Sequence, residues 1–145
     1  MEILIDIIKK CLADNFSLYV KVLGFHWNIT GKRFIQLHDF FKLIYTDLQT
    51  ANDFIAEHIR ALDSFAPGSM SRFLELSEIK CETKILKSDE MLNQLIEDNK
   101  TIINTMKVAL KLAQKYEKEG LVNYLGGRIE IHEKYQWMFK SLMED

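Results

Sequence analysis

The chain contains a single proline, Pro67, and its apolar residues recur at steps of three or four over most of its length. Proline breaks a helix because it lacks a backbone N–H and clashes with the preceding turn. Long proline-free stretches with this period are therefore typical of amphipathic helices. Glycine is also scarce, with six residues in 145. The sequence predicts an all-α protein built from long helices.

The first half of the chain predicts two of these helices. The first ends near Thr30 and Gly31, since glycine suits the left-handed turn that closes many helices. The second covers 32–62 and stops before the stretch SFAPGSMS, whose proline, glycine and serines favour a loop. The predicted apolar faces are Ile3, Ile7, Leu12, Phe16, Tyr19, Leu23 and Phe25 in the first helix, and Leu37, Phe41, Ile44, Leu48, Ile55, Ile59 and Leu62 in the second.

The second half predicts two more long helices after a long connection. That connection holds one short helix over 70–79. The third long helix covers 88–118, with Ser88 as its N-cap and Gly120 as its stop, and the fourth covers most of 121–142. Four long helices with one long crossover between the second and third are typical of a ferritin-like four-helix bundle. We expect that fold, with a short extra helix in the crossover.

Composition sets limits on what the protein does. A chain of 145 residues is long enough to bury its own core, and we expect residues 1–145 to form one domain. The formal net charge of -2 gives no electrostatic reason to bind nucleic acid or an anionic membrane. Cys11 and Cys81 have no metal or redox spacing and indicate reduced thiols. Because the N-terminus does not resemble a signal peptide and no apolar run matches a membrane span, we expect a cytoplasmic protein.

The histidines are the natural candidates for a metal site. Ferritin-type di-iron centres use Glu-x-x-His pairs inside the bundle, and no histidine here has a carboxylate three residues before it. The remaining candidates are His26, His38 and the pair Asp53 and Glu57, whose spacing puts both carboxylates on one face of the second helix. Each has an ordinary alternative, a core histidine or a solvated helix face. The four together favour a metal site.

Distance separates these ligands within one chain. His38 and Asp53 are fifteen residues apart on one helix, which is roughly 22 Å, whereas a metal lies about 2.0–2.6 Å from its ligands. If the second helices of two subunits pack antiparallel about a two-fold axis near Tyr45, His38 of one subunit faces Asp53 of the other. Symmetry then makes two identical sites. The residues expected to supply this contact are Phe41, Ile44, Tyr45 and Leu48.

The stretch HWNITGKRFIQLH, followed by Asp53, Glu57 and IRAL, resembles the Dps family, the DNA-binding proteins from starved cells or mini-ferritins. The resemblance covers essentially the whole chain. It implies a hollow homo-dodecamer that oxidises Fe(II) with hydrogen peroxide or oxygen between two-fold-related subunits and stores ferric mineral inside. It implies that His26 and His38 bind iron from one subunit, and Asp53 and Glu57 from its neighbour. It also implies that Trp27, adjacent to the site, absorbs oxidising equivalents.

One position departs from the family's pattern. Members commonly carry a carboxylate four residues after the second histidine, where it helps to hold a second, weaker iron. This chain has Lys42 there. An ammonium group close to an incoming Fe(II) ion is repulsive. We expect the tighter iron position to remain and the second to be weakened.

Two other functions stay open on the sequence. One is a nucleoid protein that coats DNA, but the chain starts MEILID and stops SLMED, both acidic, so we expect no DNA binding. The other is a shell without oxidase activity that buffers metal or serves as a scaffold, for which Lys42 is the only argument. We expect His58 at the surface. His132 is expected at the surface or lining a pore, and Glu130 and Glu133 would line an acidic three-fold pore.

Overall fold

The structure, a computed structural model, describes residues 1–144. Over those residues it contains five helices and no strand. They are α1 (Glu2–Asn28), α2 (Phe34–Ala61), α3 (Met70–Leu76), α4 (Ser88–Lys115) and α5 (Glu119–Leu142). Helices α1 and α2 form one antiparallel hairpin, α4 and α5 form a second, and α3 lies in the connection between them. The predicted four-helix bundle with a short extra helix is confirmed.

Each long helix buries one stripe of side chains, and the stripe predicted for α2 is confirmed from Leu37 to Ile59. In α1 the buried stripe is shifted by one residue from the prediction at the start of the helix. Leu4 and Ile8 are buried, whereas Ile3 is 66 % exposed. The first turns of α1 are apolar on nearly every side, so their periodicity does not select one face. Among residues 1–144, no helix has both the length and the apolar character of a membrane span.

Two of the predicted helix ends are wrong. Ser88 is not the N-cap of α4, because Lys87 holds that position and Ser88 is already helical. Gly120 does not stop α4 either, since it lies in the first turn of α5. The chain turns instead at Glu117, which adopts a left-handed φ of 55°. α1 ends close to the predicted place, at Asn28, but its cap Ile29 is extended, and Gly31 adopts its φ of 106° in the connection to α2.

The crossover is fixed to α1 by one buried carboxylate. Asp14 is fully buried and accepts hydrogen bonds from the Ser77 hydroxyl at 3.0 Å and from the Glu78 backbone N–H at 2.8 Å. The ring of Phe73 in α3 stacks on Phe16 at 4.4 Å between centroids. These contacts hold α3 and the chain that follows it against α1.

The two hairpins are built alike, although their sequences differ. In the first hairpin, an asparagine of α1 donates from Nδ2 to a backbone carbonyl and to a side-chain amide of α2. The second hairpin repeats this arrangement between α4 and α5, with each position 84 residues further along the chain. The residues are Asn15, Leu48 and Asn52 in the first hairpin, and Asn99, His132 and Gln136 in the second. Positions on α1 and α2 next to these residues therefore have counterparts on α4 and α5 at the same offset.

Candidate metal-binding site

His26 and His38 hold each other near the turn that joins α1 to α2. Their rings stack with centroids 3.8 Å apart and planes at 16°. Nδ1 of His26 lies 2.7 Å from the carbonyl oxygen of His38, and Nδ1 of His38 lies 2.8 Å from the carbonyl oxygen of His26. A carbonyl oxygen only accepts, so both Nδ1 atoms carry the hydrogen and donate. In a neutral ring with this tautomer, Nε2 is the nitrogen that carries the lone pair and can bind a metal.

Aromatic rings pack around this histidine pair. Tyr45 contacts His26 edge-on at 5.1 Å between centroids, and Phe34 stacks on His38 at the same distance. His26 is 7 % exposed and His38 is half-buried. The sequence did not indicate that Phe34 and Tyr45 touch the histidines, because these contacts depend on how α1 and α2 pack. They restrict the imidazole orientations and so preorganise the two ligand atoms.

The two candidate carboxylates lie elsewhere on α2. Asp53 and Glu57 are exposed, one turn apart. Fifteen helical residues separate Asp53 from His38, or about 22 Å along the helix axis. Over residues 1–144, no three His, Cys, Asp or Glu side chains of one chain come close enough to hold a metal. Each chain therefore carries a nitrogen pair and an oxygen pair at two separate places.

One outward side of α2 carries members of both pairs. Its exposed or half-buried residues follow one another at steps of three or four, and they are His38, Lys42, Tyr45, Gln49, Asp53 and Glu57. Four residues were predicted to form the contact between two subunits, and three of these predictions are wrong. Those three side chains are buried in the core of their own subunit and cannot pack against a partner. The three are Phe41, Ile44 and Leu48, which are 0 %, 1 % and 0 % exposed. Tyr45 alone of that set reaches the outward side.

Two further side chains border the histidine pair. Lys42 lies one turn after His38, about 6 Å along the axis. It is exposed and forms no ion pair within the described part of the chain. Trp27 directly follows His26, and it is 67 % exposed. Packing within the subunit therefore does not explain why a tryptophan stands at this position.

The predicted position of His132 is wrong. His132 is fully buried rather than at the surface or along a pore. Its Nδ1 donates to Oδ1 of Asn99 at 2.8 Å, and its Nε2 accepts from Nη2 of Arg128 at 3.2 Å. The prediction rested on the charged residues next to His132 in the sequence. The helical period of α5 indicates burial instead, since His132 follows buried Leu121 and Leu125 on one helix face.

Arg128 and Asp47 form an ion pair between α5 and α2, beside His132. Nη1 and Nη2 of Arg128 donate to the two oxygens of Asp47 at 2.8 and 3.0 Å, and the Tyr135 hydroxyl donates to Oδ2 at 2.8 Å. Burial opposes ionisation of Asp47, but the hydrogen bonds and charge of Arg128 prevail and lower its pKa. Burial, reinforced by the Arg128 charge, lowers the pKa of His132 to about 3. The imidazole is therefore neutral at physiological pH.

The remaining candidates from the sequence lie apart from the histidine pair. His58 is half-buried rather than at the surface, and it packs against the ring of Tyr124 at 5.0 Å between centroids. Burial lowers the pKa of His58, although the charge of Glu57 acts in the opposite direction. Glu130 and Glu133 are exposed on α5.

Known proteins are similar to this chain in both sequence and fold. The family model described as a ferritin-like domain matches residues 5–145. An uncharacterized low temperature-induced protein of Nostoc sp. is 30 % identical over 142 residues, which cover 97 % of this chain and 79 % of that protein. DNA protection during starvation protein 2 of Bacillus anthracis is 29 % identical, with 96 % and 95 % covered. The crystal structure of the DPS protein from Vibrio cholerae O1 matches with a TM-score of 0.95 at 30 % identity, covering 99 % of this chain and 90 % of that one.

The bundle, the crossover helix and these matches define a ferritin-like protein. The relatives narrow this class, because the similar sequences include proteins named for DNA protection during starvation and the similar structures include Dps proteins. The chain belongs to the Dps family of mini-ferritins.

Proposed function

We propose that this protein oxidises Fe(II) at sites shared between two subunits and stores the ferric product. One observation carries the proposal: the separation of the ligands into two free imidazole nitrogens and two exposed carboxylates on α1 and α2. Antiparallel packing of two α2 helices about an axis near Tyr45 brings the two histidines of each subunit next to the two carboxylates of the other. This contact forms two identical sites. Imidazole and carboxylate together are a suitable ligand set for Fe(II).

Each group has its own role in this reaction. His26 and His38 bind ferrous iron through Nε2, and Asp53 and Glu57 of the partner subunit supply the negative charge that stabilises the ferric product. Two ferrous ions each give one electron to hydrogen peroxide, whose O–O bond breaks. With two protons the peroxide leaves as two waters. Where a single ferrous ion reacts, one more electron is needed, and the exposed indole of Trp27 beside His26 is positioned to give it.

We propose the assembly that the family implies, a homo-dodecameric shell in the cytoplasm in which residues 1–145 act as one Dps-type unit. Family membership supports the shell, and the incomplete ligand set of a single chain supports its two-fold contact. Glu130 and Glu133 would line an acidic three-fold pore that admits Fe(II). Hydrogen peroxide or oxygen would be the oxidant, and the ferric mineral would be stored inside.

Sedimentation and ferrous oxidation, measured on the same preparation, test this proposal. We expect a dodecamer at micromolar concentration. We also expect the ferric absorbance after peroxide addition to rise faster than in protein-free buffer. A monomer at that concentration would exclude the shared site. A dodecamer that oxidises iron no faster than buffer would exclude the oxidase but keep the shell.

DNA coating is the second candidate function, and the surface of α4 bears on it. Residues 99–116 contain no acidic side chain. Four exposed lysines follow the helix within that stretch, and they are Lys100, Lys107, Lys111 and Lys115. A protein needs several phosphate contacts for non-specific DNA binding, and each contact increases the salt dependence. This lysine ridge is therefore the surface from which DNA binding would arise.

We expect no mobility shift of plasmid DNA at neutral pH and about 0.15 M salt. The net charge is -2, and Lys100 is already paired with Glu97 at 3.0 Å. The matched variant is Lys107→Glu with Lys111→Glu, which reverses the centre of the lysine ridge. A shift by the wild-type protein that this variant loses would show that a local ridge outweighs the net charge.

A further inference from the structure

The bundle interior holds a polar cluster that the fold does not require. By the 84-residue offset between the hairpins, Arg128 and His132 correspond to Ile44 and Leu48, which are 1 % and 0 % exposed. Aliphatic side chains therefore fill the same positions in the first hairpin. Taking an arginine out of water is unfavourable unless its charge and hydrogen bonds are compensated. Packing alone therefore does not explain why polar residues stand at these positions.

The cluster does not fit the centre typical of ferritin-like di-iron proteins. Such a centre takes Glu-x-x-His pairs and further glutamates from facing helices. Around the Arg128 guanidinium, the described residues provide one carboxylate, Asp47, and one imidazole, His132. Two ligands of this kind are too few for a pair of irons. They are the start of a site for a single divalent ion, completed by solvent.

The guanidinium of Arg128 lies between these two ligands. It donates to both oxygens of Asp47 at 2.8 and 3.0 Å, and the same Nη2 lies 3.2 Å from Nε2 of His132. Both ligands are already oriented by outer contacts. Nδ1 of His132 donates to Asn99, and the Tyr135 hydroxyl donates to Asp47. Outer contacts of this kind hold metal ligands in place.

We propose that Arg128 is a built-in cation that occupies a latent metal site formed by Asp47 and His132. Its charge balances the carboxylate and its N–H groups engage both ligand atoms. A cleft of about 330 Å³ between α2 and α5 is lined by Asp47 and Arg128, so solvent reaches the guanidinium, behind which His132 is fully buried. Because the guanidinium occupies the space between Asp47 and His132, divalent ions do not bind there. Metal binding is then confined to the surface of the subunit.

Removing the guanidinium and supplying a metal tests this proposal. The background carries His26→Leu and Glu57→Gln, which disable the proposed site between subunits. In that background, Arg128→Ala is expected to bind about one Co(II) per chain in equilibrium dialysis, with a visible cobalt absorption band. Adding Asp47→Asn is expected to lower the Co(II) affinity at least about tenfold. Arg128→Lys is the matched control, because it keeps a cation in place and should bind no additional Co(II).

Two results would overturn the proposal: folded Arg128→Ala that binds no more Co(II) than the background, or Co(II) binding that Asp47→Asn leaves unchanged. If Arg128→Ala folds only when Zn(II) is present, judged by helical circular dichroism, the proposal is supported. If it folds under neither condition, Arg128→Gln decides: additional Co(II) binding supports the latent site and its absence excludes it. None of these results depends on ferrous oxidation, because the background lacks the shared site.

Discussion

Mixing His26→Leu subunits with an equal amount of Glu57→Gln subunits is expected to restore about a quarter of the wild-type rate of ferrous oxidation. A shared site takes its nitrogens from one subunit and its oxygens from the partner. In a mixed two-fold pair, one site combines an intact His26 with an intact Glu57, and the other site carries both defects. Random association makes half of the pairs mixed, so a quarter of all sites are complete.

Each variant alone is expected to lose nearly all peroxide-driven oxidation. Leucine cannot bind a metal, and the amide oxygen of glutamine is a poorer ligand for a hard cation than a carboxylate. The loss should exceed the roughly 10–100-fold effect of removing an outer partner of a metal ligand. The measurement is the initial rise of ferric absorbance after the subunits have been unfolded and refolded together.

The matched control mixes wild-type subunits with subunits that carry both substitutions. A shared site again predicts about a quarter of the activity, because every mixed pair then has two defective sites. A site within one subunit predicts half in this control and none in the first mixture. The two mixtures together therefore distinguish the arrangements, even if refolding lowers the overall yield. Half of the wild-type activity in this control, with no activity in the mixture of the two single variants, would exclude the shared site.

The helices were predictable from the sequence because their apolar period is regular, and α2 is the clearest case. Its buried residues from Leu37 to Ile59 match the predicted stripe. The start of α1 was less predictable, since Ile3, Leu4, Ile7 and Ile8 are all apolar and only packing against the other helices selects among them. The helix ends were the least predictable, because a cap depends on backbone geometry at one residue.

The proposed site was inferred from the sequence as a set of residues, whereas the contacts among them could not be inferred. The spacing of His26, His38, Asp53 and Glu57 indicates metal ligands, and the length of α2 indicates that one chain cannot bring them together. The mutual hydrogen bonds of the two histidines could not be predicted, because each ring donates to a backbone carbonyl twelve residues away. The partner of the buried Arg128 could not be predicted either, since Asp47 lies 81 residues earlier in the chain.

Replacing Lys42 with aspartate is expected to raise the number of metals bound per shared site from about one to about two and to speed oxidation. Lys42 lies on the same side of α2 as His38, about 6 Å further along the axis. If the ammonium group and a divalent ion lie about 6 Å apart, they repel by about 1.4 kcal/mol in a water-like dielectric. That energy corresponds to about tenfold in affinity. Aspartate removes the repulsion and adds an oxygen ligand.

Two matched variants separate these contributions. Lys42→Gln removes the charge without adding a carboxylate, so it is expected to give an intermediate affinity for the second metal. Lys107→Asp makes the same change in net charge on the exposed side of α4 and is expected to change neither stoichiometry nor rate. The measurements are anaerobic Fe(II) titration and anomalous scattering from crystals soaked in Fe(II), which reports the metal count at the subunit boundary directly.

The Lys42 variants also decide between an oxidase and a metal buffer. With one iron per site, the iron gives a single electron to peroxide and the second must come from Trp27, so oxidation is slower than with a pair of irons. If the wild-type protein oxidises iron slowly and Lys42→Asp accelerates it, the ammonium limits a working oxidase. If only Lys42→Asp is active, the wild-type shell binds metal without oxidising it. Two metals at each wild-type site would contradict the prediction and would mean that the Lys42 side chain is directed away from the bound metal.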